Sequence, residues 1–310
     1  GVQAKQVNSK GEVYEHIYGL TTSQRVYGTV RENQLGHGPC YLQTSGITSE
    51  QDQDLLKAYL NMAPSQTLKW IESGKMPGEQ DVEIQGTEPY IVGGHTASGF
   101  WVDTKRETTI HGLYAAGDVA GGCPQKYVTG ALAEGKIASL AIIEQLKAAS
   151  VEQTSTIEDQ AQAVLNDYKK IRSTQNGLFT IDDLEEAMQK VMDEYAGGIA
   201  SNYQFNEKQL KLAEEKIARL SELAEQIGAE DMHELLFAYE LKERLLVCRV
   251  LIEHLKNRKE TRWHSFNENL DHPETDEKFE KYVNSRMEDG KLHILFRDLV
   301  KGDTYEHTNS

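Results

Sequence analysis

The 310-residue chain carries 33 basic and 49 acidic side chains, a formal charge of −16 and 38% hydrophobic residues. Its length suits two or three domains, and its acidity argues against nucleic acid or an anionic bilayer as partners, because both are bound through Lys and Arg. The longest apolar tract, near Ala138–Ile143, falls well short of the roughly 18 residues of a membrane span, so a soluble chain without direct membrane insertion is expected. Cys40, Cys123 and Cys248 are widely separated. They form no CxxC pair, no disulfide framework and no four-thiolate cluster site, which suits a reducing, cytoplasmic compartment. The opening Gly1-Val2-Gln3-Ala4 has neither an initiating Met nor a signal peptide, so a piece of a longer polypeptide is expected.

Residues 1–150 hold 12 basic and 16 acidic groups, against 21 and 33 in residues 151–310. Five of the six prolines lie in the first half, where short apolar runs alternate with turn formers; this is an α/β texture. Within it, Glu50–Leu60 and Gln66–Ser73 read as helices, capped by Ser49 and Ser65 and ended at Lys75-Met76-Pro77-Gly78. A short strand, Gly112–Ala116, should run into Gly117-Asp118 and the diglycine Gly121-Gly122, and a helix from Tyr127 to about Lys147 should follow. Glycine at 117 lets the chain turn directly off the strand. The small residues Thr129, Gly130 and Ala131 let a flat ring approach the helix N-terminus, whose free N–H groups and partial positive charge favour an anion. An ordinary β-turn-α unit is the plainer reading of the same residues.

After about Ser150 the texture becomes helical. Ile157–Arg172 repeats Ala161, Val164, Leu165 and Tyr168. Ile181–Tyr195, capped by Thr180, carries Leu184, Met188, Val191 and Met192. Glu207–Ile227, capped by Asn206, repeats Leu212, Ile217, Leu220, Leu223 and Ile227, and Met232–Lys256 repeats Leu235, Tyr239, Leu246, Val250 and Leu255. These stripes predict an α-helical bundle core rather than a cofactor site. From Lys259 onward the chain is rich in aromatic and charged residues and reads as a packing tail.

Gly112-Leu113-Tyr114-Ala115-Ala116-Gly117-Asp118, followed by Gly130-Ala131-Leu132-Ala133-Glu134-Gly135, resembles the second flavin-contacting segment of the fumarate reductase and succinate dehydrogenase flavoprotein superfamily. The resemblance implies FAD, held by Gly117 and Asp118 at its ribityl portion and by Thr129, Gly130, Ala131 and Leu132 at the ring. His95-Thr96-Ala97-Ser98-Gly99-Phe100-Trp101-Val102-Asp103 resembles the family's His-Thr-x-x-Gly…Val-Asp segment, with Ala97-Ser98 where the family has methionine-glycine. It implies that His95 binds an anionic small-molecule substrate. The first 80 residues resemble the end of the family's capping domain, whose catalytic arginine corresponds to the region of Arg25 and Arg31, ahead of Gly36-His37-Gly38-Pro39-Cys40. Glu260-Thr261-Arg262-Trp263 stands where fumarate reductases carry Ser-Arg-Gly, and with Tyr282–Arg286 and Gln125-Lys126-Tyr127 it is more similar to the adenylylsulfate reductase α branch. Arg262 and Arg31 are the candidates for neutralising charge on the substrate.

The fold class this implies is α/β, the C-terminal part of an FAD-binding domain with a capping-domain remnant, followed by a helical bundle. Its divisions are residues 1–80 (capping domain), 81–150 (FAD-binding segment), 151–258 (bundle) and 259–310 (tail). No strand–GxGxxG–helix unit occurs, so the pyrophosphate cradle is expected elsewhere in the parent enzyme. The resemblance further implies an iron–sulfur electron-transfer subunit as partner, and either adenosine phosphosulfate or fumarate and succinate as substrate. A reading from another class stays open, that of a non-catalytic scaffold.

Overall fold

Three short strands, β1 (Lys5–Val7), β2 (Cys40–Gln43) and β3 (Val82–Ile84), pair antiparallel in that order, with Lys5 opposite Gln43 and Cys40 opposite Ile84. They belong to a computed structural model that describes residues 4–20, 22–86, 99–122, 128–148, 156–174, 179–262 and 267–299. The chain divides into two units, Gly1–Val92 and Gly93–Ser310.

In the first unit the sheet is joined by α1 (Glu15–Tyr18), α2 (Thr22–Gln34), α3 (Ser49–Met62) and α4 (Pro64–Ser73). Val7, Tyr14, Val30, Cys40, Trp70 and Val82 are buried in it. The start of α3 differs from the Ser49 cap expected. Thr48 closes a capping box with Gln51, its hydroxyl accepting from the Gln51 N–H at 3.3 Å while its own N–H donates to Gln51 Oε1 at 3.0 Å. Pro64 rather than Ser65 opens α4, its fixed φ suiting the first helical position, and Gly74 ends it with a left-handed φ of 65°.

The second unit opens on residues 99–122, then α5 (Val128–Ala148), α6 (Thr156–Ser173), α7 (Ile181–Tyr195), α8 (Glu207–Ala224) and α9 (Met232–Asn257). The expected strand Gly112–Ala116 is absent among the described residues. Gly112 turns with a φ of 82°, and only Tyr114 bridges, antiparallel to Glu107. The bundle core is formed by Leu184, Met188 and Val191 of α7, Leu210, Ile217 and Leu220 of α8, and Leu241, Leu245 and Ile252 of α9. The stripes hold in part. On α9 Leu235 and Leu255 are buried as expected, but Ala238, Leu241, Leu245 and Ile252 fill the core while Leu246 is exposed; along and just after α8, Ile217, Leu220 and Ile227 are buried as expected, joined by Leu210 and Ala213, while Leu212 is exposed. Val164 and Leu165 of α6 are also exposed, and that helix packs through Tyr168 and Ile171 against Leu235, Ala238 and Tyr239.

The tail is more ordered than a packing segment. β4 (Gln204–Phe205) pairs parallel with β5 (Glu268–Asn269), and β6 (Lys281–Glu288) forms a hairpin with β7 (Lys291–Asp298) that lies against α9. Asp289 and Gly290 at its tip have φ of 49° and 74°. Positive φ at both central residues is the type I′ geometry that matches strand twist, and Asp-Gly supplies it at low cost.

Candidate flavin-facing site

Gly117 has a left-handed φ of 73° and starts a single 3₁₀ turn, Gly117–Val119, closed by the Ala120 N–H donating to Gly117 O at 3.0 Å. The turn lies against the first turn of α5, where a Cβ built on Gly117 would stand 3.1 Å from Ala131 Cβ. Its left-handed φ favours glycine, and the approach to Ala131 leaves a side chain little room. Asp118 is exposed beside it, Thr129 and Leu132 are exposed at the helix start, and Gly130 and Ala131 are half-buried between them. Five of the six predicted cofactor residues thus sit on or beside one helix N-terminus with small residues around it, and Leu132 projects from the same turn. Such an end offers N–H groups that have no intrahelical acceptor and a partial positive charge.

A second segment is bonded onto this turn. The Phe100 N–H donates to Val119 O at 2.7 Å and the Gly121 N–H to Phe100 O at 2.8 Å, which makes Phe100 and Ala120 a parallel bridge. Gly99, with φ of 152°, comes so close that a Cβ there would lie 2.6 Å from Val119 O. Gly99 ends the His-Thr-x-x-Gly part of the segment that includes His95. His95 itself lies outside the described residues, as do Gln125-Lys126-Tyr127 and Trp263.

Arg106, which sequence reasoning did not select, joins this layer to α5. Its main-chain oxygen accepts from the Ala115 N–H at 3.0 Å, two residues ahead of Gly117, and its Nη2 pairs with Glu134 Oε1 of α5 at 2.9 Å. Tyr114 adds a bond to Gln145 of α5 at 2.8 Å. The one clue in the sequence is Glu134 itself, an acid in the small and apolar start of α5.

The arginine candidates are each engaged by side chains of their own unit. Arg31 Nη1, on α2 of the first unit, donates to Gln34 Oε1 at 2.7 Å, and Arg25 pairs with Glu15 at 2.7 Å. Arg262 forks onto the buried Glu260, with Nε to Oε1 at 3.0 Å and Nη2 to Oε2 at 2.8 Å, and Arg258 reaches the same carboxylate at 3.1 Å. Burial lowers the Arg258 pKa, and the facing Glu260 opposes that shift. In the first unit His37 Nδ1 lies 2.9 Å from Glu32 Oε2, and Asn8 and Tyr18 also donate to that carboxylate. Burial raises the Glu32 pKa, but these three partners together outweigh it and leave the carboxyl below its ordinary value. Among the described residues no group of three His, Cys, Asp or Glu is arranged to hold a metal, and no helix is long and apolar enough to cross a membrane.

The chain aligns over 93% of its length, at 28% identity, with adenylylsulfate reductase subunit alpha of Megalodesulfovibrio gigas. It is a homologue of that subunit. An uncharacterized FAD-dependent oxidoreductase of Methanocaldococcus jannaschii is 27% identical over 83% of the chain. The chain covers 53% and 44% of these two proteins, about half the length of the curated relatives it matches. Among solved structures, adenylylsulfate reductase from Archaeoglobus fulgidus superposes with a TM-score of 0.81 at 26% identity, over 98% of this chain and 56% of that one. An adenosine-5-phosphosulfate reductase carrying sulfite as a covalent adduct matches equally well. Escherichia coli quinol fumarate reductase shares the fold, with a TM-score of 0.77 at 20% identity over 96% of this chain and 55% of that one. No protein-family model matches the chain.

The residues present fit a flavin on structural grounds. The turn at Gly117 packs tightly on Ala131, the α5 start is lined by small residues, and Glu134 buries a carboxylate oxygen, Oε2, that has no hydrogen-bond partner.

Proposed function

We propose that the chain forms part of the flavoprotein subunit of an FAD-dependent oxidoreductase of the adenylylsulfate reductase type, which converts adenosine phosphosulfate to AMP and sulfite with electrons from an iron–sulfur partner subunit. The observation that carries this reading is the seating of the Gly117–Asp118 turn on the small-residue start of α5. The homology, and the sulfite adduct of a solved relative, support the choice of substrate. Bound FAD would supply the redox chemistry. In this reading Asp118 accepts hydrogen bonds from cofactor hydroxyls, and Gly117 and Thr129–Leu132 admit the ring to the helix N-terminus. His95 orients the substrate anion, and Arg262 or Arg31 neutralises the charge that develops on it.

The test uses the full native protein with its partner. FAD is titrated and followed by its visible absorbance, and turnover of AMP plus sulfite is compared with turnover of succinate. Stoichiometric FAD binding with AMP- and sulfite-dependent electron transfer is the expected result. Failure to bind FAD overturns the flavoprotein reading, and turnover of succinate alone overturns the substrate.

A further inference from the structure

We propose that Glu134 and Arg106 are a positioning pair for the flavin site, fixing the Asp118 turn against the start of α5; the inference rests on the FAD reading above. Glu134 lies four residues after Gly130, one turn into the helix whose N-terminus would meet the ring, and its side chain is 7% exposed. A carboxylate so deeply buried has to be paired, since an isolated charge in an apolar environment is heavily penalised. Its partner comes from the layer that carries Asp118. Arg106 holds the Ala115 N–H through its main-chain oxygen and Glu134 through Nη2, and Nη1 is anchored on Asp103 O at 3.2 Å. One residue therefore binds both halves of the site. The backbone of Arg106 is left-handed, with φ of 71°, a conformation a non-glycine residue keeps only where its surroundings enforce it.

The pairing is half made. A guanidinium can meet a carboxylate with Nε and Nη2 together; here Nη2 bonds Oε1, while Arg106 Nε and Glu134 Oε2 are both buried without a hydrogen-bond partner. Among the described residues, the link that Arg106 makes to the start of α5 is thus a single charged bond, backed by the contact between Gly117 and Ala131. Loss of the bond lets Asp118 and the helix start shift relative to one another, and small displacements of a binding constellation are costly.

The test measures the FAD dissociation constant of the full native protein as wild type, Glu134→Gln, Arg106→Gln and the double variant, together with the visible circular dichroism of the bound flavin. Each single substitution is expected to weaken FAD binding roughly tenfold, as loss of an orienting outer partner does elsewhere, and to change the flavin dichroism. The double variant is expected to bind about as weakly as either single one, because both remove the same link. Thermal midpoints of the flavin-free proteins are recorded alongside. Lowered midpoints with unchanged affinity and dichroism would make the pair merely structural and overturn the proposal, as would additive losses. A wild-type protein that binds no FAD would overturn the flavin reading and this inference together.

Discussion

The guanidinium of Arg297 lies 3.6 Å from the centroid of the Trp101 ring and 5.0 Å from that of Tyr282. Its Nε also donates to Asn284 Oδ1 at 2.7 Å. Arg297 belongs to β7, whereas Trp101 follows Gly99 in the segment bonded to the Gly117 turn. The hairpin near the end of the chain is thus coupled to the candidate site through a stacked cation.

Arg297→Leu should lower the stability of the second unit by about 1 kcal/mol, the range of a partly desolvated cation–π contact. Arg297→Lys should recover only part of that, because an ammonium cannot stack its plane on the indole. Urea unfolding followed by tryptophan fluorescence reads both changes. Equal stability of all three proteins would mean that the stack contributes nothing.

Gly99 and Gly112 separate close approach from backbone strain. A methyl at Gly99 meets Val119 O and the Ala120 carbonyl carbon, built 2.6 and 2.7 Å away, whereas one at Gly112 meets nothing within 4 Å. Gly112→Ala should cost about 1 kcal/mol from its left-handed φ alone. Gly99→Ala should cost more, by a further ~1–3 kcal/mol of overpacking, and should also weaken flavin binding. Thermal midpoints that fall equally for the two variants would contradict the close approach.

The bundle tests the register of α9. Leu241 is fully buried and Leu246 is 44% exposed. Leu241→Ala should cost about 2–5 kcal/mol by cavity formation, and Leu246→Ala about 0.5 kcal/mol or less, both measured by chemical denaturation. The reverse order would restore the stripe read from the sequence.

That difference marks what the residues alone could convey. Thr180 and Asn206 fixed two helix starts because each side chain accepts from the backbone three residues on, a local interaction that sequence spacing reveals. The core face of α9 is decided by which neighbours cover it. Leu245, Leu246 and Val247 are consecutive and all apolar, so hydrophobicity alone does not choose among them. At the site, the turn at Gly117 and the helix start beyond it were legible through local turn and helix-end chemistry, but the strand expected before them does not form. Arg106–Glu134 spans 28 positions, and nothing local in Arg106 announces its partner. The β6–β7 hairpin carried the Asp289-Gly290 signal, but the charge-rich tail around it masked the alternation.

Acid should act on the first unit through Glu32. Its folded pKa is depressed below the ordinary 4.5, so it contributes stability above about pH 4.5 that is lost as pH falls through the lower folded value. The groups facing it are His37, Tyr18 and Asn8, with Glu12 bonded to the same Asn8 amide. Glu32→Gln should reduce stability near neutral pH and flatten its decline between pH 5 and 3. Urea midpoints measured across that range for both proteins decide the matter; parallel curves would remove Glu32 from the acid response.

Two glycines of α5 should respond differently. Gly135 is in the helix interior with nothing within 4 Å of a built Cβ, so Gly135→Ala should raise stability by about 0.5–1 kcal/mol through lost chain entropy and better helix propensity. It should leave FAD affinity unchanged. Gly130 stands at the helix start beside Ala131, which touches Gly117. Gly130→Leu also raises helix propensity, yet it puts a bulky side chain into the small-residue start of α5, so FAD binding should fall by tenfold or more, corresponding to about 1.4 kcal/mol. Helix stability and flavin affinity are therefore expected to separate, with thermal midpoints reporting the first and flavin absorbance the second. A Gly130→Leu protein that binds FAD as the wild type does would move the flavin away from the start of α5.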